Sequence, residues 1–369
     1  MKRLLLLYNI SNFYHRLEVV RMANMKDIAS KAGVSVATVS KVLNGINGIS
    51  QTTTDQILAI AKDLNYRPNL IARNLKTRSS RTIGIITEDI TVFNTPLIID
   101  GIGACCEEHG YHYLLENLRQ YRIGVDPAQD VNDHNLLVND AIDFMMSMQV
   151  DGLIYLSCHS HKVLHLPSIK DTHFVCTYCS CTDSTVPSVL YDEKKASYDA
   201  AKLLIEAGHK TIGVISGPLE SVHTLRRLNG YQQALFDYKI PYDPRLTLTG
   251  DWNRDSGFLH ADHLVKAGVT AIFSQNDIMA MGVIDYCTKN HIEIGRDLAL
   301  IGFDNREVST VCRPTLSTVE LPLFEIGKTS ALLLIKMVEG RSSGFSGEIM
   351  LPCTIIERES TKNFIPSIQ

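Results

Sequence analysis

Two sets of side chains in this sequence have types and spacings that could do chemistry. Val36, Ala37 and Lys41 open a helical pattern and fall within about a turn of one another. Two apolar side chains can sense a thymine methyl, and a lysine can donate to O6 and N7 of guanine, each good contact giving about 1–3 kcal/mol of discrimination. The lesser alternative for Val36 is packing against the preceding helix, whereas Lys41 could equally neutralise a phosphate. Ser35, Thr38, Ser40, Asn44, Thr52 and Thr53 carry hydroxyl or amide groups suited to phosphates, which position a protein on a duplex without reading its sequence.

The second set is Cys176-x-x-Cys179-x-Cys181, with His173 just upstream and His159, His161 and His165 nearby. These residue types occur in metal and thiol sensors. Cys176, however, falls in a strand pattern that sends neighbours to opposite faces, and buried thiols often serve as small hydrophobes. The sequence holds no Gly-x-Ser-x-Gly elbow, no Gly-x-x-x-x-Gly-Lys loop and no His-Glu-x-x-His. The expectation is therefore a protein that is not an enzyme and needs neither a cofactor nor a metal.

The elements that must carry these residues differ along the chain. It has 369 residues, 45% hydrophobic and 21% charged, with a net charge of −4. That composition excludes disorder and leaves room for two or three domains. No apolar run approaches the roughly 18–20 residues of a membrane span, so no membrane partner is expected. The charge is unevenly divided: residues 25–81 carry +6, residues 1–24 carry +3, and the remainder −13. A basic head on an acidic body points to nucleic acid as the partner of the head alone.

All nine cysteines lie beyond residue 104, which excludes a cysteine-based zinc module in the head and fits reduced thiols in the cytoplasm. Residues 1–24 read as a tail or an upstream start, with Met22 or Met25 the functional beginning; Leu4–Leu7 stops at Tyr8-Asn9 without a cleavage site.

Residues 25–68 show three short amphipathic helical patterns, the second starting at the natural cap Ser35 and the third at Ser50. Residues 69–81 hold about two helical turns, marginal alone in water, and a polar linker. From Thr82, short apolar strands alternate with amphipathic helices, which implies parallel sheets with helices on both faces and ligands at the strands' carboxyl ends. Strands are expected at Ile83–Ile86, Tyr113–Leu115, Gly152–Leu156, Phe174–Thr177, Ser188–Tyr191, Thr211–Ile215, Ala271–Ser274, Leu298–Ile301 and Met350–Ile355.

Met25 to Asn44 closely resembles the helix-turn-helix of the lactose and galactose repressor (LacI/GalR) family. Further resemblances follow in family order: Tyr66-Arg67-Pro68-Asn69 and Ala72-Arg73-Asn74-Leu75, then Ser216-Gly217-Pro218-Leu219, Gly250-Asp251-Trp252, Ser274 to Gly282, Ile301-Gly302-Phe303-Asp304 and Pro314 to Val319. The resemblance covers essentially residues 25 to 360. It implies an all-α head before an effector domain of two doubly wound α/β parallel-sheet lobes, like periplasmic binding proteins. The lobes would be residues 82–187 plus 319–347 and residues 188–318 plus 348–362, with three crossovers near 188, 318 and 348.

It also implies a homodimer on a pseudo-palindromic double-stranded operator, with Ala72 and Leu75 in the minor groove and Leu75 as a wedge that kinks the duplex. The effector would be a small molecule, a sugar or sugar derivative, held in the interlobe cleft by Arg227, Trp252, Asn276 and Asp304. Leu225 stands where lactose-type members carry a sugar-clamping arginine, and Asp89 to Thr95 and residues 117–134, which depart from the family pattern, border the cleft mouth. The expected function is a ligand-responsive transcriptional repressor of carbohydrate-utilisation genes. The rival readings are a thiol- or metal-responsive regulator using Cys176, Cys179 and Cys181, and a solute-binding protein without a regulatory role.

Overall fold

The computed structural model describes residues 23–43, 45–66, 79–125, 130–159, 161–163, 172–341 and 346–362. The chain divides into two compact units, Met1–Arg78 and Ser79–Gln369.

In the first unit, three helices form where apolar spacing and caps coincide: α1 (Met25–Ala32), α2 (Val36–Leu43) and α3 (Gln51–Asp63). Asn24 and Asp27 cap α1 reciprocally, and Gly33 ends it at φ 66°, a left-handed conformation that a side chain would strain. Ser35 accepts the Thr38 amide at 3.1 Å, and Ser50 accepts the Thr53 amide at 3.2 Å, so both serines supply the first-turn acceptors their positions suggested. Ile28, Val39 and Ile57 are fully buried, one from each helix, and Ala29, Ala32, Val42 and Ala61 complete the small core around them.

The second unit contains two six-stranded sheets. The first is built from β1 (Thr82–Thr87), β2 (His112–Asn117), β3 (Gly152–Leu156), β5 (Phe174–Thr177), β7 (Ser188–Tyr191) and β13 (Glu348–Leu351), in the order β13-β7-β5-β3-β1-β2. Every pairing in it is parallel. The second is built from β8 (Ile212–Ser216), β9 (Thr247–Thr249), β10 (Ala271–Ser274), β11 (Ala299–Asp304), β12 (Ser317–Glu320) and β14 (Thr354–Ile356), in the order β14-β12-β11-β10-β8-β9. It is parallel except for the β12–β14 edge. A two-stranded ribbon pairs β4 (Lys162–Val163) with β6 (Ser180–Cys181).

Helices α4 (Thr95–His109), α5 (Gln120–Ile123), α6 (Val131–Ser147) and α12 (Leu323–Val338) belong to the N-terminal lobe. The C-terminal lobe holds α7 (Glu193–Glu206), α8 (Val222–Asp237), α9 (Arg254–Lys266), α10 (Asp277–Lys289), α11 (Val308–Val311) and α13 (Glu359–Lys362). Central strands such as β3 are buried along their whole length, as expected of parallel strands covered on both faces. Among the described residues no helix is long and apolar enough to cross a membrane.

Three points differ from the sequence reading. The crossovers fall a few residues beyond 188, 318 and 348: Ser188–Tyr191 and Glu348–Leu351 pair with each other in the N-terminal sheet, and Ser317–Glu320 completes its pairing with Ile301–Asp304 in the C-terminal sheet. The chain changes lobe only once each strand has finished its ladder. The single strand expected at Met350–Ile355 is two strands in two sheets, because Pro352 has no amide hydrogen to continue a ladder and stands between them. The third difference is β4, β6, β9 and β12, short and partly polar strands that carry little apolar signal.

Candidate functional site

In the first unit, the outer face of α2 carries Val36, Ala37 and Lys41, all exposed, with Val36 at 39%. Its opposite face sends Val39 and Val42 into the core. Val36 thus stands outside the core, on the side facing solvent, as a base-reading side chain must. Lys26, Lys31, Lys41 and Lys62 are exposed as well, leaving the unit's charge accessible to an anion. Ser40 is half-buried. The Ser35 and Thr38 hydroxyls lie 2.9 Å apart and the Ser50 and Thr53 hydroxyls 2.8 Å apart, so the hydroxyls of Ser35, Thr38 and Thr53 already take part in helix caps. Asn44, Ala72 and Leu75 lie outside the described residues.

In the second unit, a cavity of about 890 Å³ opens between the lobes. Its walls follow the carboxyl ends of the strands: Glu88 after β1, His159 after β3, Tyr178 after β5, Trp252 after β9, Asn276 after β10 and Asp304 at the end of β11. All four expected ligand residues, Arg227, Trp252, Asn276 and Asp304, line it. Leu225 does not, and is 49% exposed. Both divergent segments reach the cavity, through Val92 and Phe93 and through Gln120 and Tyr121.

Arg227 organises the C-terminal wall. It is buried on α8; its guanidinium donates to Gln275 O, to Tyr191 Oη at 3.1 Å and to Glu193 Oε1 at 3.3 Å, and lies 3.7 Å from Asp304 Oδ1. It also stacks 3.8 Å from the centre of the Phe303 ring. Burial alone would raise the Glu193 carboxyl, but His223 and Arg227 beside it outweigh that and hold it at about 2. At Asp304 burial wins over Arg227, His223 and Arg306, and the carboxyl rises to about 6. Asp304 sits at φ 105°, a turn that brings its carboxyl back toward Arg227.

Asn276 is less available than its side chain suggested. Its Oδ1 accepts the Met279 amide at 2.8 Å to cap α10, and its Nδ2 donates to Trp252 O at 3.0 Å, so one N–H remains for a ligand. Trp252 lies against Gly217 so closely that a Cβ there would meet the indole at 2.0 Å; the glycine is what admits the ring. Trp252 is thus part structural and part cavity wall.

The N-terminal wall was not anticipated. Glu88 is buried at 2% exposure, and its carboxylate accepts from Tyr155 Oη at 2.6 Å, Ser157 Oγ at 3.0 Å and the Cys158 amide at 2.7 Å. Burial would raise it, but His134, His161 and these donors together bring it to about 2. His134 Nε2 lies 2.9 Å from Tyr155 Oη. The signal that could have exposed Glu88 is its position directly after the first parallel strand; His161 stood in the sequence beside the cysteines and His134 at the end of the divergent segment 117–134, but nothing local joins either to Glu88.

Cys176 and Cys179 are fully buried and Cys181 partly so, and all nine cysteines are unpaired. Hydrogen bonding to Cys179, with burial, raises the Cys176 thiol well above its usual range, and the Cys181 thiol is raised as well. Protonated and buried, the Cys176 and Cys181 thiols are poor nucleophiles, which weighs against the thiol-sensor reading.

Residues 24–69 match the model of bacterial regulatory proteins of the lacI family, and residues 201–361 match a periplasmic binding protein-like domain. Catabolite control protein A of Priestia megaterium is 33% identical, over 91% of this chain and 98% of that protein. The HTH-type transcriptional repressor CytR of Escherichia coli (strain K12) is also 33% identical, over 92% of this chain and 96% of its own length. The HTH-type transcriptional repressor PurR of Vibrio atlanticus is 30% identical, over 92% and 99%. Among solved structures, the lac repressor dimer bound to operator and an anti-inducer superposes with a TM-score of 0.76 at 24% identity, covering 93% of this chain and all of that one, a likeness of fold.

Proposed function

The chain belongs to the lacI family of bacterial regulatory proteins and is a DNA-binding transcriptional regulator, and from that premise we propose that it represses carbohydrate-utilisation genes in the cytoplasm, binding a pseudo-palindromic operator as a homodimer and answering to a sugar or sugar derivative in the interlobe cleft. The observation that carries this reading is the cavity of about 890 Å³ lined by Arg227, Trp252 and Asp304. An indole face suits a sugar ring, and a carboxylate beside a guanidinium can receive and return hydrogen bonds to neighbouring hydroxyls. A transcriptional regulator solved in complex with cellobiose shares the fold, with a TM-score of 0.58 at 24% identity.

On the DNA side, Val36, Ala37 and Lys41 are the base-facing residues, while Ser35, Thr38, Ser40, Asn44 and Thr53 face the phosphates. Ala72 and Leu75, outside the described residues, are assigned to the minor groove. A coupling of about 1–3 kcal/mol between cleft and operator corresponds to a 5- to 150-fold change in operator affinity.

The test combines operator selection from random duplexes with a thermal-shift screen of sugars and sugar phosphates. A sugar hit should change operator affinity in the parent. Asp304→Ala should keep operator affinity while losing that response, and an unchanged response moves the effector site elsewhere. Leu75→Ala should lower specific affinity far more than nonspecific affinity; equal losses reject the wedge.

A further inference from the structure

The N-terminal wall of the cleft contains a cluster that the sugar-responsive reading does not use. Glu88 follows β1, His134 lies on α6 and His161 follows β3, and together they bring a carboxylate oxygen and two ring nitrogens within 4.8 Å of one another. His161 Nε2 stands 3.3 Å and His134 Nε2 3.7 Å from the same oxygen, Glu88 Oε1. Donors held at 2.0–2.2 Å around a tetrahedral ion stand about 3.3–3.6 Å apart, close to the separations of both ring nitrogens from Glu88 Oε1, and the two rings need only a small adjustment to complete a ligand set.

The surroundings also fit. His161 Nδ1 donates to the His159 carbonyl at 3.0 Å and lies 3.0 Å from Ser157 Oγ. That leaves Nε2 as the coordinating nitrogen, and it is buried without a hydrogen-bond partner although it faces the carboxylate. An imidazole oriented through its other nitrogen by a backbone carbonyl is the usual support of a metal-bound histidine. Glu88 Oε2 is held by Ser157 and by the Cys158 amide, which fixes the carboxylate, while Oε1 faces the two rings and accepts from Tyr155 Oη, the hydroxyl a bound ion would displace from Oε1 and from His134 Nε2. Glu88 and His161 both line the cavity, whereas His134 closes the set from behind.

We infer that Glu88, His134 and His161 form a site for a zinc-class divalent transition metal in the N-terminal wall of the cleft, with its remaining coordination positions open to the cavity. Two nitrogens and one oxygen suit zinc or cobalt and leave room for water or an oxygen of a cleft ligand. The site stands on its own geometry and does not depend on the effector being a sugar.

The test uses the full-length protein, stripped by a chelator and dialysed, then titrated with zinc chloride and cobalt chloride beside magnesium chloride, read by calorimetry and by the visible absorption of bound cobalt. One zinc or cobalt ion per chain is expected and no comparable magnesium binding. His161→Ala should weaken zinc at least 10- to 100-fold, the loss already usual for residues that only orient a ligand. Since His161 lies at the cavity edge, that variant tests the site even if Glu88→Gln fails to fold. Replacing Cys176, Cys179 and Cys181 together by serine should leave binding intact. Absence of stoichiometric binding, equal binding by His161→Ala, or loss confined to the triple-serine variant would each overturn the assignment.

Discussion

Glu88, directly after β1, and Glu193, at the start of α7 behind the Arg227 wall, are both buried on opposite sides of the cleft, and each is held at about 2. They reach that state by different means. Glu193 has a permanent cation: Arg227 donates to it at 3.3 Å, with His223 2.5 Å away and Arg226 at 3.6 Å. Glu88 has only imidazoles and neutral donors among the described residues. One wall is a closed ionic network; the other is a hydrogen-bonded carboxylate with two ring nitrogens gathered on one oxygen. A buried charge can be satisfied by a fixed partner or left ready for an exchangeable one, and this protein does both across a single cavity.

The comparison is broken most directly at Arg227. Arg227→Leu strips Glu193 and Asp304 of their common cation and should cost about 3–5 kcal/mol, because it leaves buried carboxylates uncompensated. Urea unfolding followed by circular dichroism measures this, and a cost under about 1 kcal/mol would show that the network is balanced without the arginine.

On the other wall, Tyr155→Phe removes the hydroxyl shared by Glu88 Oε1 and His134 Nε2 and should cost about 1–3 kcal/mol, the range for unsatisfied buried polar groups. If its cost matched that of Arg227→Leu in the same unfolding assay, the proposed contrast between the walls would disappear.

The third prediction concerns slope. The Asp304 carboxyl is raised to about 6 from an ordinary 3.8, so the folded state holds its proton more tightly than the unfolded chain does. Its contribution is full below about pH 4 and is lost as pH rises through 6, at no more than about 1.4 kcal/mol per pH unit. Asp304→Asn should lack this component, so its stability relative to the parent should climb from pH 4 to 6. Parallel stability curves over that interval would refute the shift.

Much of this arrangement was legible in the sequence. Alternating apolar strands and amphipathic helices implied parallel sheets, and parallel sheets place ligands at strand ends, which is where Trp252, Asn276 and Asp304 lie. What escaped has physical reasons. The partners of Arg227, namely Tyr191, Glu193, Gln275 and Asp304, come from three other stretches of the chain, and no local period links them; only His223, one turn before Arg227 on α8, shares its helix. Glu88, His134 and His161 are likewise joined only by the fold. The division of Met350–Ile355 between two sheets depends on where the lobes part, although Pro352 marks the place. Asn276 looked like a pure ligand group because one sequence cannot disclose that its amide already caps α10.

The edge strand β13 and the helix α12, which packs on α4, β3, β5 and β7, come from the last quarter of the chain yet complete a lobe begun at Ser79. During synthesis that lobe must wait, with the edge of β7 unpaired and part of its apolar face uncovered, until almost the entire polypeptide has left the ribosome. A message truncated before codon 350 would therefore yield two unfinished halves instead of one sound domain and one missing domain, and such fragments are natural prey for chaperones and proteases.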